Sequence, residues 1–600
     1  MAITINFNGA SIRKPGVYTK TQVNLSGGFP LSPTGVVALI GEADGGAPGS
    51  SSGIQTFTSE DIQALVALYK SGPIVDAARL LVAPARDQRV PNGASQIRVW
   101  KTNPSTQAAL NLSNGTTTLF SLLSRNWGED ENLVSVKVEA GTISASARII
   151  TVAKGDLSEV LSENPRDANL TLQYTGAATA ATLTIQSNVL TVTTASPSVP
   201  ADDLSISLAG KTIRQLVDII DAHASYTAST ALLSAKFKAA ADLDPISTPA
   251  SVLTATILYA QQKELLDIIN GESSLVSATR VTNVQGSLAT LVKTFMAGGV
   301  KGASTNSRFQ SGFDALLASR VNTVIPLISQ DASALAALGK TDSASTFTVD
   351  AVNLQCVTHC LTASNTKNRS ERNCYVSVKR SFANSQIAAK TLGEARASML
   401  FQDVQILGSD GNLKYEDPWA AACMVAGVQS GTPVGTPPTF KFVNANGIQH
   451  QDYNAKTQID LAIDAGLVPL EEVDSGGFRI VVGNTTYGRD PNFVYNRISV
   501  LEAADSVAYN LRNQLEAIFI GEKARTGTAE AVANTIISIM ATFLRDEIIV
   551  GDDTNEGLGW KDLTLNVNGN TILVDITITP VQGIDFILPT ITLDNIRQSA

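Results

Sequence analysis

Gly35-Val36-Val37-Ala38-Leu39-Ile40-Gly41 is a continuous apolar stretch bounded by glycines, and it decides the fold of the first part of the chain. A short apolar run without alternation is typical of a strand that is buried on both faces. A helix is predicted to begin at Ser59-Glu60-Asp61, and a further strand is predicted over residues 95–100. Strand, helix and strand in this order indicate a compact α/β unit.

The composition points to a large protein with extensive neutral contacts. The chain has 600 residues, enough for several domains, of which 44% are apolar and only 16% are charged. A typical soluble protein carries about 25% charged residues. The net charge of −10 is mild and gives no basic surface for nucleic acid, so we expect no direct nucleic-acid binding.

The chain carries no signal for export or membrane insertion. Residues 1–6 lack the basic start and apolar run of a signal peptide, and no stretch approaches the ~20 apolar residues of a spanning helix. Four cysteines in this length fit reduced thiols and do not form a disulfide framework. A soluble cytoplasmic product is expected.

The N-terminus reads as a strand without a partner. Ile3, Ile5 and Phe7 alternate with polar residues, which is the period of a half-buried strand. No neighbouring segment is predicted to complete a hairpin with it, and turn-forming residues follow from Arg13 to Pro33. The strand must therefore pair with residues elsewhere.

The middle of the chain changes to short alternating runs rich in Thr, Ala and Ser. Over residues 106–250 these runs predict an all-β insertion. Within it, Thr212 and Gln215 have the spacing of a capping box at the start of a helix. Helical stretches are predicted around 251–270 and around 311–320, followed by a buried strand over 324–328.

The last quarter has the most regular pattern. Two amphipathic helices are predicted, one with an apolar stripe from Leu501 through Ala504 and Ala508 to Ile518, and one spanning Val532 to Phe543. A hairpin follows, turning at Asn568-Gly569-Asn570. Residues 584–593 are strand-like but interrupted by a proline, which suits an edge or exchanged strand.

The order of these motifs resembles one known family. It is similar to the order in contractile tail sheath proteins of bacteriophages, which are related to pyocin and injection-system sheaths. The motifs that carry the similarity are, in chain order, Lys14-Pro15-Gly16-Val17-Tyr18, Thr34 to Ala43, Gly298-Gly299-Val300-Lys301-Gly302 ahead of Phe313, Phe478 to Thr486, and the terminal helix pair and strands. The resemblance covers roughly residues 1–105 and 290–600. Residues 106–250 resemble only the variable outward insertions of that family.

The resemblance implies a multidomain α/β (α+β) protein, with discontinuous sheath domains built from both chain ends, a β-rich inserted domain and extended terminal strand arms. The expected boundaries are an N-terminal arm over 1–28, a central α/β domain over 29–105 plus 350–490, a β-rich insertion over 106–250, an inserted α/β segment over 251–349, a tube-proximal domain over 491–582 and a C-terminal arm over 583–600.

The resemblance also implies a function. Each subunit would add strands to a sheet in neighbouring copies, building a helical sleeve of six-fold rings around an inner tail tube, and contraction would drive the tube through the host envelope. Baseplate and tail terminator proteins would be further partners, and the protein would assemble in the host cytoplasm and reside in the virion tail. The arm residues expected to make these links are Ile3, Ile5, Phe7, Phe586, Leu588, Ile591 and Leu593.

Lys523 and Arg525 lie in the loop predicted between the two terminal helices. As in the family, they are candidates for contact with an acidic inner tube. A plain solvated loop is the alternative.

Residue patterns that suggest chemistry are few. Gly210-Lys211-Thr212 ends like a phosphate-binding loop, but Ser205 stands where that motif needs its first glycine, so we interpret it as a helix start. Cys356, His359, Cys360 and Cys374 are spaced closely enough for a zinc site, yet their apolar neighbours favour buried thiols. We therefore expect neither a metal nor a cofactor.

Two other function classes fit the sequence less well. The three histidines, His223, His359 and His450, have no serine elbow or paired-acid signature beside them, so an enzyme is not expected. A secreted surface-layer or adhesion protein would suit the β-rich middle, but it should begin with a signal peptide.

Overall fold

The computed structural model describes residues 5–7, 10–12, 34–144, 146–164, 166–230, 232–408, 411–474, 476–488, 494–523, 527–585 and 587–589. The chain forms two compact units. The smaller unit consists of Met1–Thr34, Pro433–Pro437 and Asn492–Ala600, and the larger unit of Gly35–Thr432 and Pro438–Pro491. No helix among the described residues is long and apolar enough to cross a membrane.

The smaller unit begins with a short hairpin, formed by β1 (Ile5–Phe7) and β2 (Ala10–Ile12) in antiparallel register with Ile5 opposite Ile12. The prediction that no neighbouring segment completes a hairpin with the first strand is therefore wrong. Three residues in each strand are enough for this local backbone pairing. A two-stranded hairpin of this size is only marginally stable by itself.

The larger unit begins with the predicted strand, helix and strand, and the elements have these bounds: β3 (Val36–Gly41), α1 (Gly49–Ser52), β4 (Gln55–Thr58), α2 (Ile62–Tyr69), α3 (Pro73–Val82) and β5 (Gln96–Lys101). All six residues of β3 are buried, as the apolar run predicts for a strand inside a sheet.

A long strand-rich segment follows, which we define as residues 106–297. Its elements are β6 (Ala109–Ser113), β7 (Thr118–Ser124), β8 (Ser135–Ala140), β9 (Arg148–Lys154), β10 (Leu157–Val160), β11 (Ala168–Tyr174), β12 (Ala180–Gln186), β13 (Val189–Ala195), β14 (Leu204–Ser207), α4 (Ile213–Asp221), β15 (Tyr226–Ser229), β16 (Ile246–Ser251), β17 (Thr256–Tyr259), α5 (Gln261–Glu272), β18 (Val276–Arg280) and β19 (Leu291–Phe295).

This segment holds two cores, one nested in the other. The outer core draws on β6–β9, α5 and the two strands after it, and includes Phe120 and Ile269. The inner core lies wholly between Leu170 and Leu258. The prediction of a helix around 251–270 is partly wrong, since β16 ends at Ser251 and β17 occupies Thr256–Tyr259 before α5 begins. Pairing of β17 with β11 overrides helix formation there.

After the strand-rich segment, the larger unit continues with these elements: α6 (Asn306–Leu316), β20 (Thr323–Pro326), α7 (Ala332–Ala337), α8 (Val349–Ser364), β21 (Asn373–Ser377), α9 (Phe382–Leu392), β22 (Ala397–Leu400), β23 (Asp403–Leu407), β24 (Leu413–Glu416), α10 (Trp419–Ser430), β25 (Phe442–Val443), β26 (Gly447–Gln449), α11 (Ala455–Asp464), β27 (Leu470–Glu472) and β28 (Phe478–Ile480). Helix α6 begins earlier than predicted because the Thr305 side chain caps it by accepting from the backbone N–H of Arg308.

The central sheet has six strands in the order β22-β21-β20-β3-β5-β4. The first five strands run parallel, and β4 is antiparallel at the edge. Side chains of β3 alternate between two layers, with Val36, Ala38 and Ile40 in a core shared with α6 and α8. Helices α3 and α10 pack against each other and against β3. The mixed α/β, multidomain fold class is confirmed.

The remainder of the smaller unit comprises α12 (Ile498–Phe519), α13 (Thr528–Arg545), β29 (Trp560–Asn568) and β30 (Thr571–Ile578). Both predicted helices and the predicted hairpin are present. The buried face of α12 is displaced from the predicted stripe: Val500, Ala503 and Val507 are buried and Ala508 is exposed. Alanine spacing alone does not identify the face, because a small side chain is compatible with either environment.

Candidate assembly site

The hairpin of β29 and β30 forms an incomplete sheet. Its two strands pair in antiparallel register, with Leu565 opposite Val574 and Gly569 at positive φ in the turn. Within the described part of the chain, no third strand joins this hairpin. Both outer edges therefore present backbone N–H and C=O groups that another strand can use.

One face of the hairpin lies over the helix pair. Ile536, Ile539 and Phe543 of α13 are fully buried in the core of this unit. The hairpin side chains that pack against this core are only half-buried, and they are Leu563, Leu565, Ile572, Val574, Ile576 and Ile578. A face that is apolar but incompletely covered gains stability when further strands extend the sheet.

The chain after β30 is anchored as far as Asp585. The backbone N–H of Val581 donates to the carbonyl oxygen of Ile548 at 3.1 Å. The guanidinium of Arg497 then holds the Asp585 carboxylate at 2.9 Å, with both side chains largely shielded from solvent. We define residues 584–600 as the C-terminal segment, and Asp585 is its last anchored residue among those described.

The described part of the C-terminal segment is apolar and exposed. The side chains of Ile584, Ile587 and Leu588 are 80%, 81% and 89% exposed. Residues 584–585 and 587–589 have no regular secondary structure. Three large exposed apolar side chains among these five described residues indicate a surface that another molecule covers.

The predicted arm residues are described only in part. Ile5 and Phe7 lie in β1, and Leu588 lies in the exposed C-terminal segment. Ile3, Phe586, Ile591 and Leu593 lie outside the described residues. Lys523 is exposed between α12 and α13, as the loop prediction requires, whereas Arg525 lies outside the described residues.

The phosphate-loop pattern is a helix start in the structure, whereas three residues of the zinc pattern lie close together. Thr212 caps α4 and forms the predicted capping box with Gln215, so Gly210-Lys211-Thr212 is a helix start. The Sγ atoms of Cys356, Cys360 and Cys374 lie within 4.8 Å of one another in the core. His359 does not join them, because its Nε2 atom lies 3.0 Å from Arg372 Nη1.

Several buried charged residues were not anticipated from the sequence. Glu42 follows β3 and accepts a hydrogen bond from Thr341 Oγ1 at 2.6 Å, and burial raises the pKa of its carboxyl. Lys301 pairs with Asp44 at 3.0 Å, and Lys414 with Asp76 at 2.8 Å. The one sequence signal for this network is the position of Glu42, a charged residue directly after the buried strand β3. Each acid named has a charged or hydroxyl partner within 3.0 Å.

Comparison with known proteins identifies relatives along the whole chain. No protein-family model matches. The tail sheath protein of Bacillus phage SP01 is 24% identical over 597 residues, which cover 97% of this chain and 96% of that protein. The sheath tail protein of Listeria innocua has the same fold with a TM-score of 0.54 at 13% identity, covering 93% of this chain and 94% of that one.

A second solved structure agrees. The sheath tail protein of Desulfitobacterium hafniense has a TM-score of 0.52 at 13% identity, and the match covers 94% of this chain and all of that one. The resemblance predicted from the two chain ends is thereby confirmed: this chain is similar to a phage tail sheath protein along 97% of its length and has the fold of the two sheath tail proteins.

Proposed function

We propose that this protein is the structural subunit of a contractile tail sheath and not an enzyme. The observation that carries the proposal is similarity to a phage tail sheath protein along 97% of the chain. An open-edged hairpin and an exposed apolar C-terminal segment in the same unit support it. The partners would be further copies of this chain, an inner tail tube protein, and baseplate and tail terminator proteins.

Strand addition would link the subunits. Residues 1–28 and 583–600 would act as arms, each pairing with the open hairpin of a neighbouring copy. A backbone hydrogen bond contributes about 0.5–1.5 kcal/mol net, and ordering a residue costs roughly 1–2 kcal/mol. One arm is thus marginal, whereas two arms per subunit plus contacts of the bodies act together through effective concentration.

Contraction would need no catalysis. The extended sleeve would be a kinetically held state that relaxes to a shorter, wider one with more contact between subunits. The anchored stretch up to Asp585 suits a hinge, because it fixes the base of the arm while Ile587 and Leu588 stay exposed. Lys523 and Arg525 would face the inner tube, and assembly would take place in the host cytoplasm before the sheath joins the virion tail.

Electron microscopy of the purified chain tests this function. We expect hollow striated cylinders of the full-length protein. Deletion of residues 1–12 or of residues 584–600 should give folded, soluble subunits that do not polymerise. Flat lattices would favour a surface-layer protein, and normal cylinders from either truncated chain would refute the arm model.

A further inference from the structure

The three clustered cysteines come from two adjacent elements of the larger unit. Cys356 and Cys360 are one turn apart on α8, so their side chains lie on the same face of the helix. Cys374 is on β21, against which α8 packs. All three are fully buried, and their Sγ atoms lie within 4.8 Å of one another.

This spacing is close to that of a metal–thiolate site. Around a tetrahedral ion with metal–sulfur bonds of about 2.3 Å, the sulfur atoms lie roughly 3.8 Å apart. Small rotations of the side chains therefore bring the three sulfurs into ligating distance. His359 is not a candidate ligand through Nε2, because Arg372 occupies that atom.

A buried positive charge beside the cluster gives an independent indication. Arg372 is 1% exposed. Its guanidinium contacts only neutral groups among the described residues: the carbonyl oxygens of Leu316, Ser319 and Ser370, the Ser370 hydroxyl and His359 Nε2. A buried charge without an opposite charge is disfavoured, so an anionic group close to Arg372 would stabilise it.

The sulfur cluster is the group that can supply this negative charge. Arg372 lies two residues before Cys374 and contacts His359, the residue next to Cys360. Three thiolates, one divalent cation and one guanidinium sum to zero charge, whereas a monovalent cation would leave the buried cluster negative. Thiolate ligands select soft and borderline ions such as Zn²⁺.

We propose that Cys356, Cys360 and Cys374 bind one divalent, sulfur-preferring cation of the zinc class, with Arg372 as the counter-charge. Binding releases the three thiol protons to solvent and links α8 to β21 inside the core. Because the site is fully buried, the ion enters during folding. Its role is structural, adding stability to the central sheet.

The test is refolding of the full-length chain from denaturant, under reducing conditions, with Cd²⁺ or Zn²⁺ as the probe. After removal of unbound ion, we expect one ion per chain by mass spectrometry of the metal, a cadmium–thiolate absorption band in the ultraviolet, and a Tm above that of chain refolded with chelator. Retention of no ion by the refolded chain, or three freely titratable thiols in its presence, would overturn the proposal.

Variants locate the site. Cys374→Ala should lose the ion and the absorption band. Cys423→Ala is the matched control, because Cys423 on α10 is equally buried and lies outside the cluster, and it should keep both. If Cys374→Ala does not fold, Cys356→Ala gives the same test from the helix. Equal ion content in the cluster variant and the control would also overturn the proposal.

Discussion

Lys101 is the last residue of β5 and lies where the chain leaves the central sheet for the strand-rich segment. Its side chain is 1% exposed, and Nζ donates to the carbonyl oxygens of Gly45 and Gly46 at 2.7 and 2.8 Å and to Ser105 Oγ at 2.6 Å. One ammonium therefore ties the loop after β3 to the start of the strand-rich segment. Burial lowers the pKa of Lys101 to about 7.

Replacing Lys101 tests this tie. Lys101→Met keeps the apolar stem but removes the ammonium donor from three buried acceptors, of which the Gly46 carbonyl oxygen still accepts from the Ser105 hydroxyl. We expect the free energy of unfolding to fall by about 2–4 kcal/mol, as measured by denaturant titration. Lys456→Met, at an exposed position on α11, is the control and should change it by less than about 0.5 kcal/mol. Equal effects would contradict the role given to Lys101.

Asp244 predicts a pH dependence of the inner core. Its carboxylate accepts from the backbone N–H groups of Gln261 and Gln262, at 3.2 and 2.9 Å, where α5 begins. Burial nevertheless raises the pKa of Asp244 to about 6, from an ordinary value of 3.8. Between about pH 4 and pH 6, the folded state therefore keeps a proton that the unfolded chain has released.

The stability contributed by protonated Asp244 is present below about pH 4 and is lost as the pH rises to about 6. The expected loss is at most roughly 3 kcal/mol across the window. Asp244→Asn keeps a side-chain acceptor without titrating, so denaturant unfolding of this variant should vary less with pH. An unchanged pH profile would contradict the assignment.

Residue patterns predicted some contacts and missed others for a physical reason. The capping box at Thr212 and Gln215 was predictable because both partners lie within one helical turn. The orientation of His359 was not, since Arg372 contacts it from a different element. The same applies to Lys101, whose acceptors Gly45 and Gly46 lie more than 50 residues away. Only the tertiary fold brings such groups together.

At the scale of elements, the direction of each terminal arm depends on the contacts that hold the chain where the arm begins. The periodicity of residues 560–578 predicted the hairpin correctly, since alternation and an Asn-Gly turn are local signals. The buried face of α12 and the pairing of β1 with β2 were not predicted, because neighbouring elements and marginal local pairing decide them.

The ion pair between Arg497 and Asp585 is expected to direct the C-terminal arm. Arg497→Gln removes a partly buried pair worth roughly 1 kcal/mol, so the critical concentration for polymerisation should rise about five-fold in sedimentation assays. Arg545→Gln, which removes an exposed pair with Asp546 in the same unit, is the control and should have little effect. Equal critical concentrations for the two variants would contradict a directing role.

At the scale of the whole molecule, the strand-rich segment begins and ends at adjacent points. The Thr106 hydroxyl donates to the carbonyl oxygen of Gly298 at 2.7 Å, and the Thr106 backbone N–H donates to that of Val300 at 3.1 Å. Such closely paired ends are typical of an inserted domain. The sequence predicts a β-rich insertion over residues 106–250, and we propose that the longer strand-rich segment, residues 106–297, is dispensable for the fold of the central sheet.

Excision tests this organisation. Replacing residues 107–297 with a short glycine linker should give a soluble chain that keeps the helical content of the central sheet domain by circular dichroism. A longer deletion that also removes Gly298–Lys301 loses the paired ends and the ion pair of Lys301 with Asp44, so it should unfold at lower denaturant concentration. The proposal would be contradicted if the chain with the shorter deletion aggregated and the chain with the longer deletion were equally stable.

The central claim is that the two ends of the chain complete sheets in other copies of the same molecule. The most direct measurement is a cryo-electron microscopy reconstruction of the polymer at a resolution that traces the backbone. We predict that residues from the C-terminal segment of one copy form main-chain hydrogen bonds with an open edge of the β29 and β30 hairpin in another copy. A polymer in which both termini of every copy pair only within their own chain would contradict the account.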